Sequence, residues 1–294
     1  MTGRRHRDHQ DHQKGNTMTT IALVGAGGKM GSRLTDNLLK TDYEMLFVEP
    51  SEAGVARLAE RGATPTSLEE AVSPADVVIL AVPDNRIGVV AEQAVPLMKT
   101  GATLIVLDAA APFAGHLPER ADVSFVACHP CHPSVFNNSE TDPVAQTDYF
   151  GGVAARQDVV IALISGTDDD YTRAEQVVRA FFAPVLNAHR ITVENMVLLE
   201  PVLAETTAAT CVTIVKEAMD EAVRRGVPAE AARAFILGHV NVELAIVFGE
   251  IGSPFSDGAL KAIATAKDIL FKDDWKRVFD DEVIAASVDE IVNH

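Results

Sequence analysis

The sequence has little of what a nucleic-acid, membrane or disulfide-bonded protein needs. Aromatic residues make up 5% of the 294, with a single Trp, too few for base-stacking platforms. Positive charge is scarce: 25 Lys and Arg stand against 42 Asp and Glu, a net charge of −17. A chain that acidic has no electrostatic footprint for a phosphate backbone or an anionic lipid surface. Three Cys do not make a disulfide framework, and they fit a reducing cytoplasm. No uninterrupted apolar run reaches the roughly 18–20 residues of a membrane span. Residues 1–17 lack the apolar centre of a signal peptide. They are polar and rich in His and Arg, and read as a disordered extension in which His6, His9 and His12 belong to a solvated tail.

What is present is globular. Hydrophobic residues are 47% and charged residues 23%, enough for a full core, and the length predicts two domains. From Met18 onward apolar runs alternate with helical patterns. TTIALVGAG, YEMLFVEP, ADVVILAVP, TLIVLDAAAP, DVSFVACHP and DVVIALIS read as strands. KMGSRLTDNLLKT, AGVARLAERG and YTRAEQVVRAFFAPV read as helices between or after them. Near-continuous apolar strands alternating with helices predict an α/β fold, a doubly wound and mostly parallel sheet of the Rossmann type, over 18–190. The character changes after that. Thr192 to Arg225 holds no Gly and one Pro, Pro201, with Leu, Val, Ile and Met at helical spacing. Two further helices follow, PAEAARAFILGHVNVELAIVFG and DGALKAIATAKDILF, so 191–294 is expected to be an all-α domain. Its apolar density exceeds what one small helical domain can bury, which predicts a homodimer.

The first strand ends in VGAGGKMG. Gly25, Gly27, Gly28 and Gly31, with Lys29 and Met30, are placed between a strand and a helix, where bare backbone N–H groups can approach a pyrophosphate and the helix dipole favours an anion. Glu49 ends the next strand, eighteen residues after Gly31. An acid there accepts hydrogen bonds from a ribose 2′-OH and repels a 2′-phosphate, so NAD is expected in preference to NADP. Ala81, Pro83 and Asp84 end the third strand and border the same cofactor site by the strand-end rule.

FVACHPCHP concentrates Cys128, His129, Cys131 and His132 at another strand end. A substrate loop, a zinc or redox Cys pair, and a packed strand end all fit these residues. The substrate loop is favoured because prolines fix the backbone and the loop sits at a carboxyl edge. Glu200 and Glu205 lie among apolar residues in LLEPVLAETT. They suit a general base or a ligand shared with His132 for a divalent cation, and equally a helix start. Five residues of α-helix is about 500°, so a regular helix would not put them on one face.

The glycine loop, AVPDN, HPCHP and the helical tail resemble the β-hydroxyacid and 6-phosphogluconate dehydrogenase superfamily over about 18–275. The glycine loop is also similar to GxxGxMG of dihydrodipicolinate reductases, and His-Pro after a strand to the substrate loop of prephenate dehydrogenases. EAMDEAVRRGV and AKDILF, with Lys267 and Asp268, are similar to motifs of 3-hydroxyisobutyrate-type enzymes. In that family a catalytic Lys and then an Asn stand on the long helix. Here Pro201 falls near the Lys position, and Ala204 and Glu205 near the Asn positions. The chain departs from Lys-assisted hydride transfer, and the acids at Glu200 and Glu205 resemble the metal-binding helical domain of ketol-acid reductoisomerases. The HPCHP loop and acidic helix are similar to those of D-apionate oxidoisomerases, family members that oxidise a branched sugar acid with NAD and rearrange its skeleton. The resemblance implies a cytoplasmic NAD-dependent enzyme acting on a small sugar acid, with a divalent metal held by His132 and Glu200. It implies His129 as the group assisting alcohol deprotonation, and Glu205 in support. A metal-free 3-hydroxyacid dehydrogenase or reductase is the alternative, and a non-catalytic NAD sensor a third.

Overall fold

A strand with apolar residues on both faces is stable only between two layers of helix, and the sheet is built of such strands. The computed structural model describes residues 18–137 and 139–293. The expected extension 1–17, with its His residues, lies outside them. The chain runs β1 (Thr20–Val24), α1 (Lys29–Leu38), β2 (Glu44–Val48), α2 (Glu52–Glu60), α3 (Leu68–Val72), β3 (Val77–Leu80), α4 (Asp84–Ala94), β4 (Thr103–Val106) and α5 (Ala110–Phe113). It continues through β5 (Ser124–Pro130), α6 (Pro143–Thr147), β6 (Gln157–Ser165), α7 (Asp168–Phe181) and β7 (Val185–Ile191). The strand order is β2-β1-β3-β4-β5-β6-β7. Every neighbouring pair is parallel except β5 with β6. The mostly parallel, doubly wound sheet expected from the sequence is therefore present.

β1, β3 and β4 are buried at every position. Ile21, Leu23, Ile79, Leu104 and Ile105 are fully enclosed, each worth about 1.5–3 kcal/mol of transfer free energy. The two edge strands are different. β2 is half-exposed, and β7 alternates exposed and half-buried residues. That polar pattern is why β7 was not legible as a strand in the sequence. The TLIVLDAAAP run also ends earlier than expected: the strand stops at Val106, and Ala110 onward is helical.

The chain divides into two units. The first holds the residues up to Asp108 and His116–Ile191; the second holds Ala109–Gly115 and everything from Thr192. In the second unit α8 (Val193–Val197) continues through a π-helical stretch, Leu198–Ala209, into α9 (Thr210–Arg224). α10 (Ala229–Val247), α11 (Asp257–Leu270) and α12 (Asp281–Asn293) complete it. α5 packs against α8 and α12 of the same unit. Met196, Val197, Val202, Ile284, Val288 and Val292 are among its buried residues.

Pro201 neither starts the long helix nor ends it. It lies inside the π-helical stretch. The missing proline N–H and the wider i→i+5 winding go together, and two threonines cap carbonyls across five residues. Thr206 Oγ1 donates to the Pro201 carbonyl at 2.6 Å, and Thr207 Oγ1 to the Val202 carbonyl at 2.8 Å. The winding also revises the expectation for the acids. With i and i+5 as hydrogen-bond neighbours, Glu200 and Glu205 stand one turn apart.

Val193–Arg224 is a 32-residue helix whose best 18-residue window has a mean hydropathy of 1.4, long and apolar enough by length and composition to cross a membrane. The sequence criterion of an unbroken apolar run missed it because Glu200, Pro201 and Glu205 interrupt the run without lowering the average enough. Only 17% of that window is buried.

Candidate active site

In a doubly wound sheet the ligand edge lies beyond the carboxyl ends of the strands where the order reverses. Here that point is between β1 and β3. The glycine loop leaves β1 there. Gly25 adopts φ +82, a conformation that L side chains rarely take, and its N–H donates to the Val48 carbonyl at 2.8 Å. A Cβ on Gly31 would strike the Gly25 carbonyl, and one on Gly25 the Ala81 carbonyl. The cradle is thus packed to the backbone, and Lys29 opens α1 directly behind Gly28. Ala81 to Asp84 enter the same edge, with Asp84 as the first residue of α4.

Glu49 is anchored rather than loose. Its Oε2 accepts from the Gly27 N–H at 2.9 Å, and its Oε1 accepts from the Ser51 N–H and hydroxyl at 2.9 and 2.7 Å. Oε1 is thus filled by Ser51, while Oε2 keeps a second acceptor direction for a ribose hydroxyl. Arg57 Nε donates to the Gly27 carbonyl at 2.6 Å, closing the loop from the α2 side. The residues present therefore fit a dinucleotide: a backbone cradle at a helix N-terminus, with an acid held at the next strand end.

The second half of this unit's site is at the ends of β4 and β5. Val106 pairs with Ala127, so Asp108, just past the end of β4, comes beside His129, near the end of β5. Their ligand atoms lie within 4.8 Å of each other. Asp108 is buried and His129 half-buried. A carbonyl can only accept, so the 3.1 Å contact of His129 Nδ1 with the Leu107 oxygen puts the proton on Nδ1 and leaves the lone pair of the neutral ring on Nε2. Burial holds the His129 imidazole below its usual range. The Leu107 carbonyl and the Asp108 charge pull it upward, and His132 pushes it further down.

His132 is the one non-glycine residue with a positive φ, +60, among the described residues. Its Nδ1 donates to the Phe150 carbonyl at 2.8 Å, which again leaves Nε2 with the lone pair. Its ring stands edge-on to His129, with centroids 6.2 Å apart. A strained, tautomer-fixed histidine beside a buried one is the kind of outlier that collects at working sites. Cys128 and Cys131 sit in different surroundings. Cys128 is fully buried, its Sγ donating to the Val106 carbonyl at 3.6 Å, and burial pushes its thiol far up. Cys131 is an exposed free thiol, raised by burial of its sulfur and by Asp158. Cys128 is packed at the strand end, as the packed-strand-end reading has it.

In the second unit Glu200 is half-buried and Glu205 exposed. Two residues of the first unit were missed from sequence. Asp108 hid inside an apolar run read as strand, although an acid at a strand's carboxyl end is the same signal that singled out Glu49. Phe150 sits in a loop with no motif.

Residues 138–292 match the family model for the C-terminal domain of decarboxylating phosphogluconate dehydrogenase. Residues 20–112 match that of coenzyme F420-dependent NADP oxidoreductases. A D-apionate oxidoisomerase of Cupriavidus necator is 53% identical over 272 residues, covering 92% of this chain and 98% of the relative. One from Rhizobium rhizogenes is 48% identical over 275 residues, 93% of this chain and 100% of the relative. A crystal structure of a semialdehyde dehydrogenase NAD-binding protein from Cupriavidus necator, in complex with calcium and NAD, superposes with a TM-score of 0.91 at 52% identity. It covers 93% of this chain and 99% of that one. A Rossmann-type sheet, a glycine cradle with its strand-end acid, a His-Pro loop and a helical tail of phosphogluconate dehydrogenase type occur here in one chain, and that chain belongs to the D-apionate oxidoisomerase family of NAD-dependent oxidoreductases.

Proposed function

We propose that this protein uses NAD to oxidise a hydroxyl of a branched or polyhydroxylated sugar acid, D-apionate or a close analogue, and couples the oxidation to a skeletal rearrangement. The observation that carries the reading is the Asp108–His129 pair at the same sheet edge as the glycine cradle. His129 Nε2 is the proton acceptor for the substrate hydroxyl, and Asp108 stabilises the imidazolium that forms. Depression of the imidazole by burial keeps it a neutral base near pH 7. Gly25, Gly27, Gly28, Lys29, Met30 and Gly31 hold the pyrophosphate, Glu49 the adenosine ribose, and Ala81, Pro83 and Asp84 the wall of the cofactor site.

For a divalent cation we assign Asp108 as a carboxylate donor beside the expected His132, while His129 keeps its one Nε2 lone pair for the substrate proton. A buried carboxylate and an imidazole nitrogen are a workable mixed donor set. Such a cation would polarise the substrate oxygens as a Lewis acid. We place the enzyme in the cytoplasm as a homodimer, with the second copy covering the apolar helices.

The test is NADH formation against a panel of sugar acids, each with and without EDTA. Turnover on D-apionate that collapses with EDTA and returns with one divalent ion supports the metal-assisted reading, and product NMR shows the rearranged skeleton. Turnover indifferent to EDTA removes the metal and leaves His129 as a plain base. No turnover of any sugar acid overturns the reading.

A further inference from the structure

A guanidinium in a half-buried position usually spends its five donors on carboxylates or carbonyls. Most arginines of the first unit do so. Arg61 is on Asp36, Arg120 on Asp122, Arg156 on Glu140, Arg173 on Asp170 and Arg190 on Asp168. Arg33 does not. It is half-buried on the second turn of α1, and no carboxylate among the described residues pairs with it. It lies instead on the face of Phe150, its Cζ 4.5 Å from the ring centroid. Lys29, one turn earlier on the same helix, brings its Nζ to 5.3 Å from the same ring. It too has no ion-pair partner among the described residues. In a chain with a net charge of −17, two adjacent cations without an acid are not a default outcome.

Stacking on a ring fixes the guanidinium plane while leaving its N–H edge pointing outward. The ring that carries it also leads to the chemistry. Phe150 stands edge-on to His132 at 5.9 Å, and His132 edge-on to His129 at 6.2 Å. The order along the site is therefore cations, Phe150, His132, His129 and Asp108. All of these residues lie in the first unit.

We propose that Arg33 forms the subsite for the substrate's carboxylate, and that Phe150 is the platform that aims it, with Lys29 left to the pyrophosphate. The proposal rests on the sugar-acid reading above and names the part of the site that recognises the acid. A carboxylate bound at Arg33 directs the hydroxylated carbons along His132 towards His129 Nε2. A dinucleotide phosphate is the other anion that could use Arg33. The geometry favours the carboxylate: the glycine loop and the α1 N-terminus already offer backbone N–H groups to a pyrophosphate, whereas Arg33 sits a turn further on, turned to the His132 loop.

The experiment compares the wild type, Arg33→Gln and Arg33→Lys on D-apionate and on its neutral primary amide, with NADH affinity measured by fluorescence titration. Loss of a charge-assisted, fork-shaped contact is expected to raise KM for the acid about tenfold or more in Arg33→Gln. The preference for acid over amide in kcat/KM should fall towards unity, with partial rescue by Arg33→Lys and NADH affinity as in the wild type. A matching loss on acid and amide, an unchanged preference, or weakened NADH binding would each overturn the proposal, the last reassigning Arg33 to a cofactor phosphate. If the wild type oxidises no sugar acid, the functional reading fails separately. The subsite is then judged by calorimetry of D-gluconate against D-glucitol on the NADH-loaded enzyme. Tighter gluconate binding that Arg33→Gln abolishes supports the proposal, and equal binding of the two overturns it.

Discussion

His129 is a base whose protonation is set by competing neighbours, and their signs fix the pH behaviour. Burial and His132 favour the neutral ring, while Asp108 and the Leu107 carbonyl favour the charged one. The acid limb of kcat/KM should therefore have its midpoint below the ordinary imidazole range. Replacing Asp108 by Asn removes a charge that stabilises the imidazolium, so the limb should move to lower pH while the maximal rate falls. A limb that moves upward would contradict the assigned pairing. His129→Ala should cost roughly 10²–10⁴ in kcat with NADH binding intact. Glu49 was visible in the sequence because it ends a clear strand at the right interval after the glycines. Asp108 obeys the same rule and was missed, because the run that contains it continues into Ala-rich helix without a break in hydropathy. Arg33 and Phe150 are far apart in sequence, and only folding stacks one on the other.

At the scale of elements, the glycine loop and the long helix show two ways in which backbone dictates side chains. Gly31 sits where any Cβ meets the Gly25 carbonyl. Gly31→Ala is a one-carbon change, yet the obstacle is backbone and cannot swing aside. We expect about 1–3 kcal/mol of destabilisation from overpacking, read as a lower Tm, and a weaker NADH affinity from the displaced cradle. An unaltered Kd for NADH would argue against the loop as the pyrophosphate site. On the long helix Pro201 lies inside a π-helical stretch rather than at a helix end. Proline's missing donor was legible. The way the chain absorbs it, with threonine hydroxyls capping carbonyls five residues back, depends on Thr206 and Thr207 finding those carbonyls in space.

At the scale of the molecule, the helical unit leaves much of its apolar surface uncovered. None of the residues of α9 or α11 is buried, and α10 buries only Ala232. Phe235 is 67% exposed, Phe248 69% and Ile269 78%. Large apolar side chains left exposed across one helical unit suit a face that a partner covers. Acidic residues on the long helix, a net charge of −17 and a dehydrogenase fold favour a second copy over lipid. Sedimentation should give a dimer at micromolar concentration. Phe235→Glu, which places a charge on the exposed face without touching a core residue, should shift it towards monomer. A wild-type monomer would refute the dimer.

The order of elements, the parallel sheet, the cofactor loop with its acid and the helical tail were all decided by local pattern: strand hydropathy on both faces, glycines at one junction, and helical spacing without interruption. These signals are local because each rests on the backbone needs of a few consecutive residues. What only the tertiary structure decided is which side chains meet. Asp108 joins His129 because β4 and β5 are neighbours in parallel register, and Arg33 joins Phe150 because a loop that follows β5 folds back onto α1. Ala109–Gly115 belongs with the helical unit because its small apolar face packs against α8 and α12. Contacts across such sequence distances are set by strand order and packing, which no short window of the chain contains.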